Sequence, residues 1–343
     1  MIRHWLGVSL VCFALAAFLP KGAGRPPAKE KLSEYGFFSG KMALQVPQAG
    51  VQPYQLNTPL FSDYAEKLRF VYLPPGTAAQ YHPTEVLDFP AGTVLIKTFY
   101  YPIDFRQPGK GRRLIETRLL INEGEAWQAL TYVWNDDQTE ALLEVAGDTK
   151  KVAWINPEGK KQQLDYQIPN VNQCKGCHNM DEQLRPIGPT ARQLNGSLDH
   201  GPANQLAHWQ AQHLLQGLPD LAQVPRAPVW DNARTGSLAE RARAYLDINC
   251  AHCHRSSGPA KTSGLLLDWQ EQNPTKLGIF KTPVAAGKGS GNLQYDIVPQ
   301  KPEASILLYR LHSTDPGERM PELGRQLVHR EGMALIKEWI KSL

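Results

Sequence analysis

Short segments rich in β-branched and aromatic residues follow one another through residues 67–170. Clusters of Gly, Asn, Asp and Pro separate them, and links this short join antiparallel strands. Aromatic residues occupy both alternating sets of positions in residues 127–134, so we expect both faces of the sheet to be covered. The pattern predicts an antiparallel β domain, folded as a sandwich or a curled sheet. The predicted strands are residues 68–73, 93–101, 113–121, 127–134, 140–145, 151–155 and 162–166.

A helical period replaces the strand pattern after residue 170. Residues 203–216 predict a helix that begins after Pro202 and ends at Gly217. Within it, Leu206, Trp209 and His213 share one face. The polar stretch that follows is rich in proline and is interpreted as a linker.

Two further helices are predicted in residues 237–343. The stretch Ser237-Leu238-Ala239-Glu240 is a capping box and begins a helix that runs into Cys250. Apolar residues at spacings of three and four predict a closing helix at the C-terminus. Met333 belongs to that apolar stripe, so we expect it in the core.

The pattern Cys-x-x-Cys-His occurs twice in this half of the chain. The two copies are Cys174-Lys175-Gly176-Cys177-His178 and Cys250-Ala251-His252-Cys253-His254. In such a pattern the two thiols add to the vinyl groups of a haem, and the histidine ligates the iron. The sequence therefore predicts two haem c groups, with iron as the metal. Their predicted attachment residues are Cys174, Cys177, Cys250 and Cys253, and their predicted proximal ligands are His178 and His254.

A single Cys-x-x-Cys-His pattern is also compatible with a disulfide or with half of a zinc site. The cysteine count favours haem, because four of the 5 cysteines belong to the two patterns and the remaining one is Cys12. No cysteine is left for a disulfide framework. One zinc ion bound by both pairs does not explain a histidine directly after each pair.

Met320 is the predicted sixth ligand of the second iron. It stands in a Met-Pro loop between the two helices of residues 237–343. A thioether sulfur is a soft, neutral donor that favours reduced iron, which gives this residue a chemical role.

The sixth ligand of the first iron is less constrained, because no Met-Pro loop follows its attachment pattern. The candidates are His200, His208 and His213, or no protein ligand at all. His213 is preferred because it lies on the face predicted to point inward. An open site would instead leave His213 or His82 available for proton transfer.

Residues 1–24 have a short basic start, an apolar run and small residues at the end, which is typical of a secretory signal. A signal anchor is the alternative, and apolar residues beyond Cys12 argue against a lipid there. Export fits haem c, which bacteria attach outside the cytoplasm. No other long apolar run occurs, so we expect a periplasmic protein without a stable membrane span. The formal net charge of +4 gives no basis for nucleic acid binding.

These observations predict an α+β multidomain chain, with two mainly α-helical c-type haem modules after the β domain. Residues 54–64 place aromatic residues among turn formers and predict an ordered strap over a core. Within the strap, Asp63 is expected to cap or to bond to backbone. The predicted segments are a signal peptide (1–24), an irregular N-terminal extension (25–66), the antiparallel β domain (67–170), the first c-type haem module and linker (171–236), and a class I-like cytochrome c domain (237–343).

From about Tyr35 onward the chain resembles a family of bacterial di-haem c-type cytochromes with a β-rich N-terminal half. The C-terminal order of helix, Cys-x-x-Cys-His, Met-Pro loop and helix resembles class I cytochrome c. Residues 92–97 resemble small β-sheet haem proteins that oxidise hydroxylamine. The stretches that carry the family resemblance are Leu56-Asn57-Thr58-Pro59-Leu60-Phe61-Ser62-Asp63-Tyr64, Ile168-Pro169-Asn170 with Asn172-Gln173-Cys174, Pro186-Ile187-Gly188-Pro189 and Arg319-Met320-Pro321.

Two classes of function follow. The first is single-electron transfer through two haems, with a periplasmic redox partner protein docked on the β domain. It is preferred because it needs less specialised geometry. The second is a haem enzyme in which an open first haem reacts with peroxide or a small nitrogen compound, and the second haem relays electrons. Di-haem peroxidases are a precedent, although they lack a long β domain. A third interpretation makes haem only an aid to folding.

Overall fold

The structure, a computed structural model, describes residues 28–198 and 203–343. The predicted signal peptide, His200 and Pro202 lie outside the described residues. The described chain is a mixed α/β protein with a large antiparallel sheet and six α-helices. Within these two ranges, no helix combines the length and the apolar character needed to cross a membrane.

Six of the described strands form one antiparallel sheet. The strands are β1 (Phe38–Ser39), β2 (Val46–Pro47), β3 (Val51–Pro53), β4 (Glu66–Tyr72), β5 (Ala79–Gln80), β6 (Val94–Pro102), β7 (Arg112–Asn122), β8 (Trp127–Trp134), β9 (Ala141–Leu143), β10 (Asp148–Ile155), β11 (Lys161–Ile168), β12 (Asn179–Met180), β13 (Gln183–Leu184) and β14 (Leu215–Gln216). The order in the sheet is β3-β4-β6-β7-β8-β9, and β10 pairs with β11 as a separate antiparallel hairpin. Each of the seven predicted strands corresponds to one of β4 and β6 to β11, so these strand predictions are confirmed.

The helices lie in the second half of the chain. They are α1 (Val171–Cys177), α2 (Ala191–Leu194), α3 (Gln205–Ala211), α4 (Leu238–Cys250), α5 (Ile306–His312) and α6 (Arg330–Ser342). The capping box of α4 is formed, because the Ser237 N–H donates to Glu240 Oε2 at 2.8 Å and the Glu240 N–H donates to Ser237 Oγ at 3.3 Å. The predicted start of α4 and the predicted closing helix α6 are confirmed.

Both faces of the large sheet are covered, as its aromatic pattern predicts. One face packs Phe70 and Leu119 against an N-terminal segment that contains Leu32. The opposite face packs against the β10–β11 hairpin, which contributes Trp154, and against helix α3, which contributes Trp209. The covering layer on that face is therefore a hairpin with helices rather than a second large sheet.

The helix predicted for residues 203–216 is wrong in its extent. Helix α3 ends earlier, in a Schellman turn in which the Leu214 N–H donates to the Trp209 carbonyl at 2.8 Å. The His213 N–H donates to the Gln210 carbonyl at 3.0 Å in the same turn. His213 has a φ of +58° there and is exposed, so the expectation that it shares a buried face with Trp209 is also wrong. After this turn, β14 pairs in parallel with β5.

The strap, residues 54–64, bonds to several later parts of the chain. The Asn57 N–H donates to the Gln193 carbonyl in α2 at 2.9 Å. The Phe61 N–H donates to the Asn249 side-chain oxygen in α4 at 2.9 Å. The prediction of an ordered strap is confirmed, and the strap connects α2 with α4.

Asp63 of the strap forms hydrogen bonds with two distant parts of the chain. Its Oδ1 accepts the backbone N–H groups of Gln326 and Leu327, both at 2.7 Å. Its own carbonyl accepts the Tyr101 hydroxyl at 2.7 Å. The expectation that Asp63 bonds to backbone is confirmed, and the residue joins strand β6 to the loop that follows Met320.

We expect Asp63→Ala to lower the free energy of unfolding by about 3 kcal/mol, because two amides lose a charged acceptor. Asp63→Asn keeps an oxygen that can accept both amides and should lose less than about 1 kcal/mol. Urea denaturation followed by circular dichroism measures both variants. Equal losses in the two variants would contradict the role given to Oδ1.

Candidate haem sites

The first Cys-x-x-Cys-His pattern is carried by α1, which follows directly after strand β11. Asn170 caps this helix, since its Oδ1 accepts the Gln173 N–H at 2.9 Å. Cys174 and Cys177 are three residues apart, so they lie on neighbouring turns of one helix face. Both cysteines and His178 line a cavity of about 350 Å³, which we call the first cavity.

The first cavity lies between the sheet and the C-terminal part of the chain. Strands β4, β6 and β7 form one wall, and the strap, helix α4 and residues 319–326 form others. Its volume falls within the range of about 300–1,000 Å³ that is usual for cofactor and ligand sites.

His178 is held in the state that can ligate iron. Its Nδ1 lies 2.8 Å from the carbonyl oxygen of Arg185. A carbonyl can only accept, so Nδ1 carries the proton and Nε2 keeps its lone pair. Burial lowers the pKa of His178 to about 4, which keeps the imidazole neutral at neutral pH. A backbone carbonyl that orients the ring in this way is a common companion of metal-binding histidine.

A second cavity, also of about 350 Å³, is lined by the second pattern. Cys250 is the last residue of α4, and Cys253 and His254 follow it. Met320 lines the same cavity, so the fold brings together all four residues that the sequence assigns to the second haem. Burial lowers the pKa of His254 to about 4, so this imidazole is also neutral at neutral pH.

The loop that carries Met320 is fixed by bonds to its backbone. The Met320 N–H donates to the Arg310 carbonyl at 3.0 Å, and Arg325 Nε donates to the Met320 carbonyl at 2.9 Å. Met333 instead packs against the core of the C-terminal helices, as the sequence predicts.

The two cavities adjoin at the attachment patterns. Cys177 and His252 line both cavities. The side chains of Cys177 and Cys253 are in hydrogen-bonding contact, and Cys253 Sγ lies 3.8 Å from the Gly176 carbonyl oxygen. All four cysteines of the patterns are free thiols.

Three of the histidines that the sequence predicts as sixth ligands or proton-transfer groups for the first iron belong to the described residues. All three lie away from the first cavity. His208 and His213 are exposed, and neither lines the cavity. His82 does not line it either, and its Nδ1 accepts the Glu85 N–H at 2.9 Å.

Two other histidines line the first cavity and were missed as candidates: His252 and His329. His252 lies inside the second pattern, and its Nδ1 is buried without a hydrogen-bond partner. The His329 ring stacks on Phe61 with a centroid distance of 4.1 Å, and its Nδ1 lies 3.0 Å from the Tyr245 hydroxyl. The sequence offered a signal for one of these two histidines, because His252 lies between the two cysteines of the second pattern.

A row of three cations, Arg69, Lys97 and Arg118, crosses the wall of the first cavity. Lys97 pairs in register with Arg69 on β4 and with Arg118 on β7, and all three line the cavity. We call these residues the cation row. Arg118 is neutralised by the fully buried Glu116, whose Oε2 accepts Arg118 Nε at 2.8 Å. Glu116 Oε1 also accepts the Tyr166 hydroxyl at 2.7 Å.

The donor set of each cavity fits a covalently bound haem. Each cavity is lined by the two free thiols and the neutral final histidine of one attachment pattern, and the second also contains a methionine. Within the described ranges, no three His, Cys, Asp or Glu side chains are grouped so that they could hold a metal ion. A haem iron needs no such group, because the porphyrin supplies four nitrogens and the protein only the axial ligands.

We expect Glu116→Gln to lower the free energy of unfolding by about 3 kcal/mol, because it leaves the Arg118 charge without a counter-ion. Adding Arg118→Met to that variant should restore a large part of the loss. Asp136→Asn is the matched control, because Asp136 forms an exposed pair and should change stability by less than about 0.5 kcal/mol. Urea denaturation measures all three variants. Equal effects of Glu116→Gln and Asp136→Asn would contradict the expectation that loss of the buried partner costs more stability than loss of the exposed one.

Comparison of the chain with known protein families, with curated proteins and with solved structures finds no match in any of the three. The resemblance to di-haem cytochromes therefore depends on the sequence stretches that carry it. The site itself is defined by the cavities and the donor residues that line them.

Proposed function

We propose that this chain is a periplasmic di-haem c-type cytochrome that transfers single electrons. Each bound haem supplies one reversible one-electron step, because its iron alternates between the ferrous and ferric states. The protein would supply the axial ligands of each iron and exclude water from the haem. In this proposal Cys174, Cys177, Cys250 and Cys253 form the thioethers, and His178, His254 and Met320 are axial ligands.

The contact between Cys177 and Cys253 is the observation that carries the proposal. The second attachment pattern follows the first by 76 positions in the chain, yet these two side chains touch and the two cavities share a wall. Two redox groups attached at these residues would lie side by side. Electron transfer needs such proximity and no further catalytic residue.

The presence of a methionine in one cavity only supports different reduction potentials for the two haems. A methionine thioether raises the potential of a haem relative to a second histidine. The second cavity contains Met320, whereas no methionine lines the first cavity among the described residues. We therefore propose a higher potential for the second haem, with the first haem closer to the β domain on which a periplasmic redox partner would dock.

The purified protein should contain two covalently bound haems. The mass of the denatured protein should exceed that of the exported polypeptide by two haem masses, and pyridine haemochrome absorption should give two haems per chain. Cys174→Ala with Cys177→Ala should remove one, and so should Cys250→Ala with Cys253→Ala. A wild-type mass equal to the bare polypeptide, or to the polypeptide with one haem, would falsify the proposal.

Met320→Ala should remove the weak sulfur-to-iron absorption band in the near infrared and lower the potential of one haem only. A spectroelectrochemical titration of the intact protein resolves the two one-electron steps. Met333→Ala is the control, because Met333 packs in the core and should leave both potentials unchanged. If Met320→Ala keeps the band, another residue is the ligand.

A haem enzyme is the second candidate, and the polar lining of the first cavity favours it. Lys97, Asp63, Tyr245 and His329 line this cavity with groups able to bind or move protons near a reacting ligand. An open first iron should be high-spin in electron paramagnetic resonance, and the protein should turn over peroxide with a reduced donor. A low-spin first iron without such turnover would exclude this candidate in favour of electron transfer.

A further inference from the structure

We infer that Arg69 and Lys97 form an anion-binding site on the wall of the first cavity, and that its ligand is a carboxylate group. The inference deepens the proposed function by assigning a ligand class to that cavity. It depends on the proposed first haem only if the carboxylate belongs to the haem itself.

The geometry sets these two cations side by side. Arg69 and Lys97 are directly opposed on neighbouring strands, which places their backbones about 5 Å apart and their side chains on the same face. Both side chains line the first cavity. Only 8% of Arg69 is exposed, and its Nη2 is buried without a hydrogen-bond partner.

The charge of these two residues is not compensated within the described part of the chain. Neither Arg69 nor Lys97 forms an ion pair there, and the contact recorded for Lys97 Nζ is with the Phe99 ring, 4.8 Å from its centroid. Glu116 is already bonded to Arg118, and Asp63 to two backbone amides. Glu116 and Asp63 are therefore already in use. Glu66 is a further acidic neighbour of Arg69, but it is exposed and forms no ion pair with Arg69 among the described residues.

A buried guanidinium beside a half-buried ammonium, without a counter-ion, is strongly unfavourable. Burial and the neighbouring charges of Arg69 and Lys67 lower the pKa of Lys97 well below its usual range. Native proteins pair such charges or bind an ion beside them. Arg69 and Lys97 together supply the fork of a guanidinium and the three donors of an ammonium, which suit the two oxygens of a carboxylate.

A carboxylate can reach this pair from two sources. One is a propionate of the haem held by Cys174 and Cys177, whose side chains line the same cavity. The other is a small free carboxylate that enters the cavity as a ligand or substrate. The chemistry at Arg69 and Lys97 is the same in both cases, and only the effect of added carboxylate distinguishes them.

The test uses the purified holoprotein, dialysed free of organic acids, and its Lys97→Met variant. Lys97→Arg keeps the charge, and Lys151→Met removes an exposed lysine from strand β10 as a matched control. The thermal midpoint is measured with and without millimolar sodium acetate at fixed ionic strength. Resonance Raman spectra report the propionate bending bands of the haems. Arg69→Met provides the same comparison if Lys97→Met does not fold.

With acetate present, we expect Lys97→Met to lower the midpoint by about 3 °C or more, and Lys97→Arg and Lys151→Met to leave it nearly unchanged. With a free carboxylate as the ligand, acetate raises the wild-type midpoint saturably and has no such effect on Lys97→Met. With a propionate as the ligand, acetate has no effect, and Lys97→Met shifts the propionate bands of one haem.

With acetate present, a midpoint that rises or stays constant in Lys97→Met would overturn the inference, because removal of an uncompensated charge stabilises a protein. A lower midpoint without the acetate effect or the Raman shift would overturn it as well. A wild-type protein without haem would contradict the proposed function, and the acetate titration would then decide this inference by itself.

Discussion

The side chain of Asp63 accepts two backbone N–H groups, and the arrangement of both cavities depends on these two hydrogen bonds. They connect the strap, which joins β3 to β4, to the loop after Met320, which lies more than 250 residues later in the chain. The strap and this loop are both walls of the first cavity, and the same loop brings Met320 into the second. Asp63 thus couples strand β6 to the loop that follows Met320.

The position of the two attachment patterns follows from this arrangement. Two residues separate the end of strand β11 from the start of helix α1, so Cys174 and Cys177 are held close to the sheet. Helix α4 ends at Cys250 and directs the second pattern back towards α1, where Cys253 meets Cys177. The β domain therefore forms a wall of the first cavity, in addition to any surface it offers to a partner.

The inner face of the sheet changes from apolar to charged where it meets the first cavity. Val71 and Leu95 pack against the helices, whereas Arg69 and Lys97, the next residues on the same face, point into the cavity. An apolar residue at either position would be the ordinary choice for a covered sheet. We infer from these cations that this wall faces a polar ligand rather than a protein core.

Local signals in the sequence determined the strands and the capping box of α4, because each depends on residues close together in the chain. The two Cys-x-x-Cys-His patterns and Met320 are also read from local sequence, and their roles in holding haem stay predictions. The extent of helix α3 was not determined locally, since a Schellman turn at His213 ends it and β14 then pairs with a distant strand. The tertiary structure alone decided which histidines line the first cavity, and it selected His252 and His329. It also decided that the buried Arg69 lies beside the half-buried Lys97, because strand register, and no local pattern, sets their separation.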